Sequence, residues 1–342
     1  MKKVERAKGS GNAVRLKRFK NKVQQERGAA SSQESAGITE PMLIPKGHFL
    51  LPLLLLLTAV GAAQTETRPF THNGYSRPYL IHRPTNVAAH PAVVFMLGGI
   101  GSTAKSESEE FNWIAVSDRS GFLVVFPELV ATQTDQPANK NNITFWEMKG
   151  SRTHHWPADA LPVDDDGYLM AVLKDVLHRD HADAGRVYFA GFSSGSGAAQ
   201  LLAARHPREI RGVFAVATPL MDPPPRLPRP VPILYIHGDR DVQFTAFEAN
   251  SPNFATTPHG NWVTWGYLNG CHIQTARKTS WGVQLSWQQC KQGVPVIADL
   301  IADFGHEWAG SVSENRKGSE GLNLNFTEMA WEFFSGQSSK QR

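Results

Sequence analysis

Long apolar runs and cysteines are both scarce in this chain of 342 residues. Its longest apolar run, Phe49–Ala63, has 15 residues and contains Pro52, whereas a membrane-spanning helix needs about 20 apolar residues. No second run is long enough to span a bilayer, which argues against a membrane-embedded protein. Neither of the two cysteines, Cys271 and Cys290, closely follows that run, so a lipid-anchored cysteine near residue 64 is excluded.

The apolar run follows a basic stretch and ends in small residues, which is the pattern of a secretory signal peptide. We therefore predict a signal peptide over residues 42–63, cleaved after Ala63, and a secreted protein, extracellular or periplasmic, with no stable membrane anchor. Residues 1–41 are either a basic disordered arm or an untranslated extension. In the second case, Met42 is the real start.

The basic character of the chain belongs to its first part. The whole sequence has 35 Lys and Arg, 31 Asp and Glu and a pI near 9.0. Without residues 1–63, it has 24 basic and 27 acidic residues, which argues against a nucleic-acid partner. A charged fraction of 19% beside 41% hydrophobic residues excludes a disordered chain.

The two cysteines both fall in the part that we expect to be exported. In an exported chain, such a pair predicts one disulfide bond, here between Cys271 and Cys290, closing a loop of about 20 residues. Two unpaired, buried thiols are the alternative.

Short, unbroken apolar runs recur along residues 64–335, as in parallel strands that are covered on both faces. Helical patterns separate several of them, and the polar stretches 131–162, 219–230 and 251–260 fit loops at the carboxyl edge of a sheet. We therefore predict one α/β domain with a mostly parallel, doubly wound sheet and helices on both faces, followed by a polar tail at 336–342. The predicted strands are Ala92–Leu97, Phe122–Phe126, Val187–Ala190, Gly212–Ala217, Pro232–Ile236 and Val294–Ala302, and the predicted helices are Gly167–His181, Ser194–Arg205 and Asn323–Phe334.

The segment Gly191-Phe-Ser-Ser-Gly195 matches the G-x-S-x-G nucleophile elbow. The pattern alone is weakly specific, since the chain has 29 glycines. Its context strengthens it, because a predicted strand precedes Ser193 and a helix rich in small residues follows. The glycines let the turn close sharply, and a helix N-terminus stabilises a developing oxyanion. We therefore predict Ser193 as a nucleophile on an α/β-hydrolase fold; a Gly/Ser-rich turn without chemistry is the alternative.

A serine nucleophile needs a base and an acid that orients the base, and in this fold the chain order is serine, acid, histidine. His306 follows the last predicted strand, where a loop returns to the sheet edge, so we predict it as the base ahead of His259 and His272. The acid is expected after the preceding strand. We choose Asp241 there, with Asp239 as the alternative.

A glycine-rich segment, Gly98-Gly-Ile-Gly101, follows the first predicted strand. It allows the backbone to approach a substrate closely, and we assign the backbone N–H groups of Ile100 and Ser194 to an oxyanion hole. The segment lacks the lysine of a P-loop and the glycine spacing of a dinucleotide site. No cofactor is therefore expected.

Two clusters of possible metal ligands have simpler explanations. His154 and His155 are adjacent, so their side chains diverge and make a poor chelate. Asp164–Asp166 precede a predicted helix, where carboxylates cap the N-terminus and meet the helix dipole. We therefore predict no metal site.

These motifs resemble those of the secreted α/β-hydrolases that include poly(3-hydroxybutyrate) depolymerases, feruloyl esterases and acetylxylan esterases. The likeness covers most of residues 70–335. In that family, the matching stretches carry the disulfide and the catalytic histidine, so the resemblance supports the triad and the cysteine pairing position by position. The most specific stretches are Trp265-Gly-Tyr-Leu-Asn-Gly-Cys271, Trp287-Gln-Gln-Cys290 and Gly305-His-Glu-Trp-Ala-Gly310.

The chain departs from the family pattern at three positions. Gly98 stands where the family usually has histidine, Ser196 replaces a glycine after the elbow, and Ala309 replaces a proline. None of these changes removes a reacting group, but the first alters the oxyanion loop.

The resemblance and the triad together imply a secreted serine esterase. Its substrates would be feruloyl or acetyl esters of plant polysaccharides, or hydroxyalkanoate oligomers. Trp146, Trp156 and Trp308 are candidates for a wall of the substrate site. The alternatives are a serine peptidase on the same fold and a non-catalytic binding protein that keeps the hydrolase fold; reaction with a fluorophosphonate probe separates the enzymes from the binding protein.

We predict that the exported protein begins near Gln64, because the small residues before it suit signal peptidase. N-terminal sequencing of protein recovered from the medium or periplasm should give a sequence starting there. Recovery of exported protein with residues 1–41 intact would contradict both the cleavage site and the argument from charge.

Overall fold

A computed structural model of the chain shows how the predicted strands and helices assemble. The predicted signal peptide and the predicted basic arm or untranslated extension lie outside the part that it describes, apart from Ala63, and so do Trp156 and the His154–His155 pair. The described residues are 63–129, 131–132, 143–144, 146, 164–242, 258–312 and 323–338.

A ten-stranded sheet forms the centre of the domain, in the strand order β1-β4-β6-β5-β9-β10-β11-β14-β13-β12. Two short two-stranded sheets, β2 with β3 and β7 with β8, lie apart from it. The strands are β1 (Gln64–Arg68), β2 (Thr71–His72), β3 (Tyr75–Ser76), β4 (Tyr79–Arg83), β5 (Val93–Leu97), β6 (Leu123–Pro127), β7 (Ala131–Thr132), β8 (Ile143–Thr144), β9 (Val187–Phe192), β10 (Gly212–Val216), β11 (Ile233–Gly238), β12 (Ile273–Lys278), β13 (Gly282–Gln288) and β14 (Val296–Ile301).

The six predicted strands are all present, as β5, β6, β9, β10, β11 and β14, and they run parallel to one another. The sequence analysis missed the antiparallel strands at both edges, namely β1 and β4 at one side and β12 and β13 at the other. β12 is exposed along its whole length, so it contains no unbroken apolar run. The mostly parallel α/β architecture is therefore confirmed, with antiparallel additions at each edge.

Six helices surround the sheet in the described part of the chain. Three of them, α1, α2 and α5, were not predicted from the sequence. Residues 251–260 were predicted to form a loop, whereas α5 begins at Pro258. The helices are α1 (Ala104–Glu110), α2 (Trp113–Ser120), α3 (Asp165–Arg179), α4 (Ser194–Arg205), α5 (Pro258–Leu268) and α6 (Phe326–Ser338), and Lys291–Gly293 form a short 3-10 turn.

The last helix differs from its predicted bounds, which ended at Phe334. It continues to Ser338, so the polar tail expected at 336–342 is partly helical. The side-chain amide of Gln337 is buried and donates to the carbonyl oxygen of Phe333 at 3.0 Å. Polar residues can thus complete a helical turn that an apolar pattern does not reveal.

The side chains of β5 show how the sheet separates two cores. Val93, Phe95 and Leu97 join the core that α3, α4 and α5 cover, while Val94 and Met96 join the core beneath α1, α2 and α6. All five are fully buried, and burying each such side chain stabilises the fold by about 1.5–3 kcal/mol. Burial on both faces explains the unbroken apolar run of a parallel strand.

The acidic run before α3 has a separate protein partner for each carboxylate. Asp164 accepts the Gly167 N–H at 3.0 Å and so caps the helix. Asp165 pairs with Arg77 at 2.6 Å, with both side chains buried, and Asp166 pairs with Arg205 and His206. Within the described residues, no three His, Cys, Asp or Glu side chains converge as a metal site requires. None of the described helices is long and apolar enough to cross a bilayer.

Cys271 and Cys290 lie at the open end of the β12–β13 hairpin. Cys271 precedes β12, Cys290 follows β13, and their sulfur atoms are bonded. The bond closes the hairpin where it joins the body of the sheet, between the segments that carry Asp241 and His306.

We predict that this disulfide is present in the exported protein, and that the double variant Cys271→Ala/Cys290→Ala loses about 2–5 kcal/mol of unfolding free energy. The bond restricts the unfolded chain, so its removal favours unfolding. Chemical denaturation measures the loss. Intact-mass analysis tests the pairing directly, because two thiols open to alkylation in non-reduced, denatured protein would contradict it.

Candidate active site

Ser193 lies at a sharp turn between β9 and α4. Its backbone angles are φ 54° and ψ −126°, a region that residues with side chains rarely occupy and that costs about 1–3 kcal/mol. Its N–H donates to the carbonyl oxygen of Val216 on the neighbouring strand at 3.0 Å. The turn therefore holds the Ser193 hydroxyl above the carboxyl edge of the sheet, in front of the first turn of α4.

The two glycines of the elbow are required by close backbone contacts. A Cβ atom at Gly191 would collide with the carbonyl group of Gly195, and one at Gly195 would collide with the carbonyl oxygen of Leu97 at the end of β5. The start of α4 can approach β5 this closely only without side chains at these positions. The contact brings the segment after β5 to the nucleophile.

The structure brings Ser193, His306 and Asp241 together in one hydrogen-bonded chain. His306 Nε2 lies 2.9 Å from Ser193 Oγ, and His306 Nδ1 lies 2.8 Å from Asp241 Oδ2. The Asp241 side chain is fully buried, whereas 16% of the His306 side chain is exposed. With the proton on Nδ1, His306 donates to Asp241 and its Nε2 can accept the Ser193 proton.

The alternative residues weighed for the triad lie elsewhere. Asp239 is exposed, and its backbone N–H donates to the Ile301 carbonyl oxygen at 3.0 Å. His272 is exposed beside the disulfide, and the backbone of His259 is in α5, with its side chain outside the described set. The carboxylate that reaches His306 is that of Asp241.

Close contact also joins the loops that carry Asp241 and His306. A Cβ atom at Gly238 would collide with the carbonyl oxygen of Phe304, so the end of β11 passes against the backbone just before His306. The Arg240 N–H donates to that same Phe304 oxygen at 2.9 Å, and the Asp241 N–H donates to the Gly238 carbonyl oxygen at 3.1 Å. These bonds fix the separation of the Asp241 carboxylate and the His306 ring.

Trp308 supports the loop that carries His306. It does not form a wall of the substrate site, contrary to the prediction. Its side chain is 2% exposed, and its Nε1–H donates to Thr327 Oγ1 in α6 at 3.0 Å. Its ring packs edge-on against Phe192 and Phe214. Since Trp308 is two residues after His306, this packing anchors the loop of the base in the core.

Trp146 is also buried, at 4% exposure, contrary to its predicted place in a substrate wall. Its Nε1–H donates to the carbonyl oxygen of Gly98 at 3.0 Å. Trp146 therefore holds the segment after β5 in place. Its position in a polar loop had suggested contact with substrate instead.

The segment 98–101 approaches the nucleophile at Gly99. A Cβ atom there would lie 3.1 Å from Ser193 Cβ, so this backbone rests against Ser193. The next residue, Ile100, is 55% exposed, and Ser194 is the first residue of α4, where backbone N–H groups lack partners within the helix. The assignment of the Ile100 and Ser194 N–H groups to an oxyanion hole stays a prediction.

The departure from the family pattern at Ser196 has a structural explanation. The Ser196 hydroxyl is buried and donates to the Thr218 carbonyl oxygen at 2.6 Å, which also accepts a bond from Gln200 Nε2 at 2.8 Å. Trp265 Nε1–H in turn donates to Gln200 Oε1 at 2.8 Å. A serine is tolerated because its hydroxyl joins a satisfied network between α4, α5 and the loop after β10.

Two residues near Ser193 and His306 were not predicted from the sequence. The ring of Phe192 packs against that of His306, with ring centres 5.0 Å apart; its position directly before Ser193 in the elbow was the available signal. The other is Glu107, whose carboxyl lies beneath the segment after β5. Glu107 lies in a short, polar helix, and no sequence pattern there indicated a role for its side chain.

Several proteins that this chain resembles are named as esterases. Residues 78–218 match the model of the family described as esterase PHB depolymerase. NocK of Nocardia uniformis subsp. tsuyamanensis, an esterase by name, is 29% identical over 204 residues, 58% of this chain and 55% of that protein. The bifunctional acetylxylan esterase/xylanase XynS20E of Neocallimastix patriciarum is 22% identical over 279 residues, 72% of this chain and 36% of that protein.

A solved structure, the acetyl xylan esterase from Aspergillus awamori, has the same fold with a TM-score of 0.52 and 14% identity, over 80% of this chain and 99% of that one. Feruloyl esterase B of Talaromyces stipitatus is 25% identical over 162 residues, 46% of this chain and 41% of that protein. The chain thus spans between about a third and a little over half of the curated relatives that it matches. The predicted resemblance and the α/β-hydrolase fold are confirmed.

We predict that Gly195→Ala lowers the unfolding free energy by about 1–3 kcal/mol, because the added methyl group displaces the Leu97 carbonyl. Gly197→Ala is a matched control in the same helix, since its nearest contact would be Thr218 Cγ2 at 3.1 Å. Chemical denaturation of both variants checks the difference. Equal unfolding free energies would show that the contact of α4 with β5 is not this tight.

Proposed function

Since the chain has the α/β-hydrolase fold and matches the esterase PHB depolymerase family over residues 78–218, we propose that it is a carboxylic ester hydrolase that works through an acyl-enzyme on Ser193. The observation that carries the proposal is the uninterrupted chain of hydrogen bonds from the buried Asp241 carboxylate through His306 to the Ser193 hydroxyl. A surface serine needs no such partners, whereas a nucleophile does.

The first half of the reaction transfers the acyl group to the enzyme. His306 Nε2 takes the proton of the Ser193 hydroxyl as its oxygen attacks the ester carbonyl carbon. The tetrahedral oxyanion accepts hydrogen bonds from the Ile100 and Ser194 N–H groups. When the intermediate collapses, the bond to the alcohol oxygen breaks and His306 returns the proton to that oxygen.

The second half hydrolyses the acyl-enzyme. A water molecule gives a proton to His306 Nε2 and attacks the acyl carbon, and the acid is released as Ser193 regains its proton. In both halves, the imidazolium that forms is stabilised by the Asp241 carboxylate, which is fully buried. Burial strengthens that attraction because little water screens it.

For substrates, we propose acetyl or feruloyl esters of plant polysaccharides, or hydroxyalkanoate oligomers, met outside the cell after secretion. The names of the relatives support this class, since they include acetylxylan and feruloyl esterases. Ile100 directly follows Gly99, which rests against Ser193, and its side chain is exposed; the ring of Phe192 packs against that of His306. These two side chains offer an apolar contact to the acyl group, a role that burial denies to Trp146 and Trp308.

We predict that residues 64–342 hydrolyse aryl acetates and butyrates, and that Ser193→Ala and His306→Ala each lower kcat by roughly several powers of ten. Asp241→Asn should lower kcat by about 10⁴-fold, through loss of the orientation of His306. Asp239→Asn is the matched control, since its carboxylate is exposed, and should have little effect. Steady-state kinetics with aryl esters measures all four.

The substrate class is decided by the same protein on methyl ferulate, acetylated xylan and hydroxybutyrate oligomers, with Ser193→Ala as the blank. Cleavage of peptides in preference to every ester would favour a peptidase. If folded wild type and Ser193→Ala hydrolyse all esters equally slowly, and neither reacts with a fluorophosphonate probe, the protein is a binding protein with this fold.

A further inference from the structure

A buried carboxyl group lies directly beneath the segment that approaches the nucleophile. Glu107 is in α1 and is 1% exposed. The reaction proposed above gives it no proton to move and no contact with substrate. A buried carboxyl group that is retained without a role in the chemistry needs a structural explanation.

Glu107 binds Gly98 and Ser102, the first and last residues of the segment 98–102, through one oxygen atom. The Gly98 N–H donates to Glu107 Oε1 at 2.9 Å. The Ser102 hydroxyl oxygen lies 2.8 Å from the same atom and also 2.8 Å from the Gly99 carbonyl oxygen. The turn is closed by the Ser102 N–H, which donates to that carbonyl at 3.3 Å. Glu107 thus connects both ends of the segment 98–102.

Gly98 is held on both of its backbone polar groups. Its N–H is bonded to Glu107, and its carbonyl oxygen accepts the Trp146 Nε1–H at 3.0 Å. A Cβ atom at Gly98 would collide with the Glu107 carboxyl and the Ser102 hydroxyl. The carboxyl therefore fills the space that a side chain at position 98 would occupy, the position where the family usually has histidine.

We infer that Glu107 is a positioning residue, which keeps Gly98–Ser102 in the conformation that seats Gly99 against Ser193 and presents the Ile100 N–H to the oxyanion. The inference rests on the proposed function. One side chain of α1 would thereby determine the conformation of the oxyanion loop. Displacement of such a donor by about 1 Å can cost about 10²-fold in rate.

The protonation of Glu107 suits this role. Burial raises its pKa well above the ordinary range, and the nearby Glu128 carboxylate raises it further, against the bonds from Ser102 and Gly98, which lower it. A carboxyl group that is shifted toward its neutral form accepts both bonds through Oε1 at a lower cost of burying charge. Glutamine has the same shape and the same acceptor, so it should replace Glu107 in this function.

The test compares Glu107→Leu, Glu107→Gln and, as a matched control on the same helix, Glu109→Gln, whose side chain is exposed. On an aryl acetate, Glu107→Leu should lower kcat by about 10²-fold, with little change in KM. Glu107→Gln should stay within about threefold of wild type, and Glu109→Gln should not change kcat. A trifluoromethyl ketone, which forms an oxyanion on Ser193, should bind Glu107→Leu more weakly in proportion to kcat.

Hydrogen exchange of the peptide that contains residues 97–103 gives a readout that does not need activity. Its amides should exchange faster in Glu107→Leu, while peptides from β9 and β10 stay as in wild type. If Glu107→Leu does not fold, Glu107→Asp takes its place, because the shorter side chain cannot reach both Gly98 and Ser102.

The outcomes separate this inference from the proposed function. Active wild type with unchanged kcat in Glu107→Leu overturns the inference and leaves the esterase proposal intact. A lower unfolding temperature with unchanged kcat at 25 °C shows a purely structural role and also overturns it. If wild type hydrolyses no ester, the proposed function fails, and unchanged hydrogen exchange in Glu107→Leu would then overturn the positioning role as well.

Discussion

Contacts between bare backbone segments at the carboxyl edge of the sheet bring together the loops that carry Ser193, Asp241 and His306. Gly195 meets the Leu97 carbonyl at one crossing, and Gly238 meets the Phe304 carbonyl at another. The first crossing brings the oxyanion loop to Ser193, and the second brings the loop of the acid to that of the base. Such contacts around Ser193 help to maintain its strained backbone.

Buried polar and aromatic side chains then hold these loops from behind. Trp308 ties the loop of His306 to α6, Trp146 binds the carbonyl group of Gly98, and Glu107 binds its N–H. Each bond lies in the protein interior, where the low dielectric makes it stronger than at the surface. In the described loops, the large side chains of Trp146 and Trp308 therefore serve to hold backbone in place.

Two of the three departures from the family pattern are accommodated by a neighbour. Ser196 adds a hydroxyl to a buried position, and this hydroxyl donates a hydrogen bond to the Thr218 carbonyl oxygen. Gly98 removes a side chain, and the Glu107 carboxyl occupies the space. Ala309 is fully buried, and nothing in the structure explains its departure from proline. A single position thus says little about function until the residue packed against it is known.

The sequence by itself determined the six parallel strands, three of the described helices, the elbow at Ser193 and a short list of candidate partners for it, because unbroken apolar runs and glycine-bounded turns are local patterns. Tertiary structure decided which aspartate reaches His306, that Trp146 and Trp308 are buried, and that α1 supplies Glu107. These depend on contacts between segments that lie far apart in the chain. The exposed edge strand β12 and the short polar helix α1 were not predicted, for the same physical reason. Their stability comes from the neighbouring segments with which they pair or pack, so their own sequences carry no local pattern.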